Sequence, residues 1–405
     1  MVTQASLLSD LESVAGPKHV SSRDAADFAV DGAAPHAVVR PGTYAEAAQV
    51  VRYANEAGLA VIPWGGGTQM GIGNVPDRYD LALSLSRLDG VIEHEPADLT
   101  VTCQAGITLS RLREQFASSG QLVPIDPALP GKATAGGVLA ANASGPSRLA
   151  YGTARDFTIG MRVVTADGRI TRAGGKVVKN VAGYDLCKLY IGSLGTLGVI
   201  VEATFKVLPL PKAERSLALA FDSADAACVL ARELHRRGLA LRATQMVRRA
   251  SSYVLQIDLA GAASAVERSL HEIETVAAEH GGKPAEPLPL AKPSGGLVCR
   301  FGTLSTLVPA LVGGLDALGA TCIAYPTAGV VRASSPEASE PVVERLRAAA
   351  RAADATMVIE TAPPALKQAI DVFGEPPPSV ALMRAVKQQF DPKGTLSPGR
   401  FVGRL

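Results

Sequence analysis

The stretch that most constrains this chain is Trp64-Gly65-Gly66-Gly67-Thr68-Gln69, which follows a short apolar run at residues 59–63. The run reads as a buried strand. Three consecutive glycines at its end let the backbone turn through dihedrals barred to other residues, and they let main-chain N–H groups come close to a ligand. A turn of this kind makes a nest for an anion, most often a phosphate. A diphosphate cofactor is the first candidate. A plain glycine turn with no ligand has the same signature, so the rest of the chain must decide.

With 405 residues the chain is too long for one ordinary core, and two domains are expected. Its 40 basic and 38 acidic residues nearly cancel, and no basic tract is interleaved with aromatics. That argues against nucleic acid as a partner. The start of the chain lacks the basic-then-apolar pattern of a signal peptide, and no apolar run reaches membrane-spanning length. A cytoplasmic location is expected, with any attachment to the inner face of the membrane supplied by partner subunits. The five cysteines include no Cys-x-x-Cys pair, which points to reduced thiols and away from a disulfide frame, a zinc site or an iron–sulfur site. The six histidines form no His-x-His or His-x-x-x-His pair, so no metal site is expected.

Residues 1–36 read as an N-terminal arm. Thr43 and Glu46 form a capping box, and Ala47, Val50, Val51 and Ala54 then recur at helical spacing up to Gly58. Strands are expected at 81–85, 90–95 and 100–104, and a helix capped by Thr108 buries Leu109, Leu112 and Phe116. The stretch 126–156 is rich in Gly, Ala, Ser, Thr and Pro, which reads as surface loop. Its small residues also suit main chain lying directly against a flat ligand. Ala166-Asp167-Gly168 marks a hairpin. The strand at 199–208 alternates, with Val199, Val201, Ala203, Phe205 and Val207 on one face. Pro209-Leu210-Pro211 closes the segment. Residues 213–380 read as a second domain in which two β-α-β-β-α-like passages suggest an antiparallel sheet with helices on one face. A capping box at Ser264 and Glu267 is expected to open one of those helices. A helix at 382–390 leads into a turn-rich end.

Two familiar nucleotide motifs fail. The dinucleotide fingerprint needs a third glycine where Met70 stands. A P-loop needs Ser or Thr after Gly131-Lys132, and Ala133 is there instead.

Five stretches in order resemble the flavoproteins of the vanillyl-alcohol oxidase / p-cresol methylhydroxylase type. They are Val39-Arg40-Pro41; Pro63 through Thr68; Asn142-Ala143-Ser144-Gly145-Pro146 with Tyr151-Gly152 and Arg155-Asp156; Gly192-Ser193-Leu194-Gly195-Thr196-Leu197-Gly198-Val199-Ile200; and Phe390-Asp391-Pro392-Lys393-Gly394 with Pro398-Gly399. The stretch 174–186 and the short cap are similar to the flavin subunits of bacterial glycolate oxidases. The resemblance implies an α+β fold. A two-subdomain FAD-binding domain at 37–212 precedes an α/β cap of antiparallel sheet and helices at 213–380, and 381–405 returns to the FAD domain. It also implies site roles. The backbone of Gly65, Gly66, Gly67 and Thr68, beside Trp64 and with Thr68 and Gln69 side chains, would hold the diphosphate. Ala133, Thr134, Gly136 and Gly137 would line the isoalloxazine and ribityl region, continued by Ser144, Gly145, Tyr151 and Gly152. Gly198 and Ile200 would meet the adenine end. Gly136, Gly145 and Gly152 also read as ordinary turn glycines, and Tyr151 as a core tyrosine.

Departures from the family pattern carry information too. No His follows the glycine loop, so the FAD is expected to be non-covalent. Leu194 stands where Glu is common, and Ser397 where Asn is common. The His-x-Gly-Asp-Gly-Asn-x-His motif of larger 2-hydroxy acid dehydrogenases does not occur between 213 and 380. Oxidation of a hydroxy acid needs a base for the hydroxyl proton and a cation for the carboxylate. Lys176, Lys179, Tyr184 and Arg332 are candidates, and each also reads as a surface or structural residue, so no catalytic residue is assigned. The leading expectation is the FAD subunit of a glycolate (D-2-hydroxy acid) oxidase or dehydrogenase that works with a larger flavin subunit and an iron–sulfur subunit. The alternatives are a self-sufficient FAD oxidoreductase for a small alcohol or hydroxy acid, and a non-catalytic flavin-fold assembly subunit.

Overall fold

The computed structural model describes residues 3–175, 184–288 and 293–405. The stretch at 174–186 therefore lies partly outside the described residues, and Lys176 and Lys179 lie wholly outside them. The chain divides into two compact units. Unit 1 comprises Met1–Ser144, Thr153–Pro209 and Asp371–Leu405; unit 2 comprises Gly145–Gly152 and Leu210–Ile370.

Unit 1 is built on two sheets. In the first, strands Ala37–Val39 and Val61–Trp64 both run parallel to Leu81–Ser84, which lies between them, and Val20–Ser21 adds an antiparallel edge. Parallel neighbours need a crossover, and helix Tyr44–Ala57 supplies it. The Thr43 cap forms as expected, its hydroxyl accepting from Glu46 N at 3.1 Å, but the reciprocal half of the box is shifted by one residue: the Glu46 carboxylate accepts from Gly42 N at 2.7 Å and from the Thr43 hydroxyl at 3.2 Å. Gly58 ends the helix in the left-handed region (φ 70°). Ala47, Val50, Val51 and Ala54 are fully buried, which places the predicted stripe against the sheet.

The second sheet is antiparallel, in the order Val91–Glu95, Thr100–Gln104, Val199–Lys206, Thr158–Val164, Ile170–Gly174. The central strand Val199–Lys206 is buried on both faces apart from Lys206, so its alternation does not separate core from solvent. Glu202, on the face read as polar, is buried and answered by Arg162 at 3.1 Å and the Tyr44 hydroxyl at 3.0 Å. Side chains from both sheets share one hydrophobic core. Leu396 forms a parallel bridge with Val61, so the chain's end extends the first sheet beyond its edge strand.

Unit 2 carries an eight-stranded antiparallel sheet in which two β-α-β-β-α-β passages succeed each other, residues 213–284 and 297–361. Helices Ala224–Arg236, Ala263–Glu279, Val308–Ala317 and Glu340–Ala352 pack on the sheet and on each other. The expected capping box at Ser264 and Glu267 does not form. The helix already begins at Ala263, with Ala262 as a cap that makes no side-chain hydrogen bond. No described helix is long and apolar enough to cross a membrane.

Candidate functional site

The glycine loop leaves the carboxyl end of strand Val61–Trp64 and forms one wall of a cavity in unit 1. Gly65, Gly66, Gly67, Thr68, Gln69 and Met70 line that wall. Thr134, Gly137, Ala140 and Ala141 face it from the short helix Ala135–Ala141 and its cap, and Ile62, Pro63, Leu194, Gly195 and Arg400 complete the lining.

The three glycines are needed for different reasons. Only Gly67 has positive φ (71°). Gly65 and Gly66 have ordinary backbone dihedrals, and they are held by close approach. A side chain at Gly65 would collide with the Thr134 hydroxyl, and one at Gly66 with the carbonyl oxygen of Lys132. The loop is therefore seated on residues 132–134, and its remaining face is bare main chain. That corrects the expectation that all three glycines serve unusual dihedrals. Trp64 turns away from the cavity. Its ring meets Phe28 at 5.0 Å and packs beside Gly67, so it braces the loop from behind.

The other expected site residues are dispersed. Thr134 and Gly137 line the cavity, and the Thr134 hydroxyl accepts from Gly137 N at 3.3 Å. Ala133, Gly136, Ser144, Gly198 and Ile200 do not line it. Gly136 sits where a side chain would meet the Ala105 methyl at 2.7 Å, and a side chain at Gly198 would press on Val163 and Tyr190. Both are thus required by packing. The stretch 126–156, expected as loop, contains three short helices, so part of its small-residue content reflects close helix packing. Gly145, Tyr151 and Gly152 belong to unit 2, where the helix Arg148–Tyr151 packs on strand Leu241–Arg249. Arg332 also lies in unit 2, buried and paired to Glu360 at 3.1 Å. Tyr184 is 96% exposed.

The sequence reading missed Arg400. It is 2% exposed and comes from the C-terminal segment, far from the glycine loop in sequence. Two main-chain hydrogen bonds seat that segment: Val61 N donates to Thr395 O at 2.7 Å, and Ser397 N donates to Val61 O at 2.9 Å. Arg400 Nη2 then donates to the carbonyls of Met70 (2.9 Å) and Ile72. Burial alone lowers its affinity for its proton, and Asp31 and Tyr79 oppose that. Among the described residues, Arg400 Nη1 and Ser397 Oγ are the two buried side-chain polar atoms without a hydrogen-bond partner. Such orphans are rare in folded proteins. The two family departures share a backbone feature: Leu194 has φ 54° and Ser397 φ 44°. Asn tolerates that region far better than Ser. Strained backbone at a cavity wall is a common companion of ligand sites.

A main-chain cradle with an orphaned buried guanidinium beside it suits a diphosphate, and comparison with known proteins agrees. Residues 35–174 match the FAD binding domain, and residues 375–401 match the C-terminal domain of FAD linked oxidases. The chain is 36% identical over 193 residues to glycolate oxidase subunit GlcD of Bacillus subtilis, covering 48% of this chain and 41% of that protein. It is 38% identical over 191 residues to a D-2-hydroxyglutarate dehydrogenase of Xanthomonas citri (47% and 40%), and 43% identical over 129 residues to glycolate oxidase subunit GlcE of Escherichia coli (32% and 37%). The chain thus spans less than half the length of these curated relatives. In three dimensions it resembles p-cresol methylhydroxylase with substrate bound, with a TM-score of 0.73 at 16% identity covering 98% of this chain and 97% of that one. The 4-ethylphenol oxidase of Gulosibacter chungangensis gives the same TM-score and identity, covering 98% and 96%. The fold is that of the p-cresol methylhydroxylase type, and the cofactor is FAD.

Proposed function

Since the chain has the fold of the p-cresol methylhydroxylase type and matches the FAD binding domain over residues 35–174, we propose that it is the FAD-binding subunit of an oxidoreductase acting on the CH–OH group of a small D-2-hydroxy acid, of the glycolate oxidase or dehydrogenase kind. The observation that carries this reading is that the stretch matched to the FAD binding domain contains both walls of the cavity, the glycine loop and Thr134–Ala141. The substrate class follows from relatives named for glycolate, D-lactate and D-2-hydroxyglutarate.

In this reading the main-chain N–H groups of Gly65, Gly66, Gly67 and Thr68 hold the diphosphate. Thr68 and Gln69 add side-chain donors. The Thr134 cap fixes the opposite wall. The FAD is held without a covalent bond, because Thr68-Gln69-Met70 offers no His for attachment. When bound, FAD supplies the two-electron acceptor for the hydride leaving the hydroxyl-bearing carbon. Electrons pass on to partner subunits, a larger flavin subunit and an iron–sulfur subunit.

The test is anaerobic addition of glycolate to the purified chain, alone and together with subunits co-purified with it, while the flavin band is watched. Bleaching in the co-purified assembly supports the reading. A band that no 2-hydroxy acid bleaches in either sample contradicts it.

A further inference from the structure

We infer that Arg400 is the charged wall of the diphosphate site, its guanidinium pairing with the anion that the glycine loop cradles. This rests on the FAD reading above and names a residue that reading does not use.

The guanidinium is buried and touches the cavity. One of its amino groups is fully engaged, since Nη2 donates to Met70 O and Ile72 O, the far end of the glycine loop. The other is not. Nη1 has no hydrogen-bond acceptor, and the Asp31 carboxylate stands off at 3.8 Å. Burying a guanidinium is strongly unfavourable unless charge and hydrogen bonds answer it. Two carbonyls and a distant carboxylate answer it in part. An anion in the cavity answers the rest, because a guanidinium fork matches phosphate oxygens. The loop contributes only neutral amide dipoles, so Arg400 adds the one full positive charge among the described lining residues.

The position is set by backbone rather than by a flexible stem. The C-terminal segment pairs beside Val61, and the Arg400 carbonyl accepts from Asn74 N at 3.0 Å. Ser397, whose hydroxyl is the second orphan, lies in the same segment, and a side chain at the lining residue Gly195 would meet that hydroxyl at 3.4 Å. Both unsatisfied donors therefore come from one segment, Arg400 lining the cavity and Ser397 packed behind its Gly195 wall. Anion binding and seating of that segment are linked through the Met70 and Ile72 carbonyls.

The experiment compares Arg400→Met with the unsubstituted chain, both stripped of flavin. Affinities for FAD and ADP are measured by titration, and riboflavin binding by thermal shift. ADP carries the diphosphate without the flavin ring, and riboflavin carries the ring without phosphate. Arg400→Met is expected to weaken FAD and ADP binding by about tenfold or more, as for loss of a charge-assisted hydrogen bond, and to leave the riboflavin shift unchanged. Unchanged FAD affinity in a folded variant would overturn the inference. So would an equal loss for riboflavin, which would make Arg400 a brace for the loop and nothing more. Should Arg400→Met not fold, Arg400→Gln keeps an amide donor for the two carbonyls while removing the charge, and it carries the same test. Failure of the unsubstituted chain to take up FAD at all would instead overturn the reading on which the inference rests.

Discussion

Gly66 faces the carbonyl oxygen of Lys132 with no room between them for even a methyl group. The glycine loop is thus held in shape by residues 132–134 before any ligand arrives, and Gly66→Ala must push the loop off its seat. Overpacking of this kind costs ~1–3 kcal/mol. The expected outcome is a folded chain of lower melting temperature that no longer retains flavin, read by thermal unfolding and by absorbance after gel filtration. Full flavin occupancy with an unchanged melting temperature would remove the reason given for this glycine.

A second prediction concerns the turn that carries the C-terminal segment to the site. Asp391 is 2% exposed. It accepts from the backbone of Thr395 (2.9 Å) and Leu396 (2.7 Å) and from Lys387 Nζ (2.6 Å), which also donates to the carbonyls of Thr196 and Leu396. Asp391→Ala leaves a largely buried ammonium and two amides without their carboxylate. The expected loss is about 3–5 kcal/mol, measured by denaturant unfolding, with flavin loss following because Arg400 lies on the released segment. A change below 1 kcal/mol would show that this turn is not the anchor.

Asp156 gives a pH signature. Partial burial alone would raise its pKa, but hydrogen bonds from the Thr153 backbone and hydroxyl, with Lys188 and Arg155 nearby, outweigh that and hold the carboxyl below its usual value. Its folded pKa is depressed, so the ionised group stabilises the fold above the unfolded pKa of about 3.9 and loses that contribution as pH falls through the folded value. Asp156→Asn should therefore lower stability at neutral pH and leave it unchanged at the acid end, the two stability curves converging as the pH falls through the folded pKa. Parallel curves would contradict the assignment.

The cysteines predict chemical inertness. All five are buried and unpaired. Desolvation pushes the thiols of Cys103, Cys228, Cys299 and Cys322 up to about 12, and that of Cys187 up to about 11. The thiolate is the reactive form. A thiol reagent should therefore label none of them in the native chain at neutral pH and all five after unfolding. Rapid labelling of a native cysteine would contradict the burial.

What could be read from the sequence was local. The Thr43 and Thr108 caps, the strand before the glycine loop and the doubled β-α-β-β-α pattern all rest on residues a few positions apart, and all are present in the structure. The capping box at Ser264 failed because the helix enters one residue earlier, where Ala262 offers no side-chain acceptor. The glycines of 133–152 were read as walls for a ligand, yet Gly136 answers to Ala105, a neighbour that only folding brings near. Arg400 was invisible for the same reason. Its partners Met70, Ile72 and Asp31 lie more than 300 residues away, and no spacing rule connects them. The oddity at Ser397 was visible as a departure from Asn, but its physical content, a backbone in the left-handed region, required coordinates.

In the proposed reading, the cavity bounded by the glycine loop and Arg400 holds FAD without a covalent bond. The most direct measurement is the absorption spectrum of the purified chain, followed by acid precipitation and chromatography of the supernatant. The expected result is a flavin band in the native protein and intact FAD released into the supernatant. Flavin that stays with the precipitate would contradict non-covalent binding. A chain that shows no flavin band, and takes none up when FAD is added, would contradict the site itself.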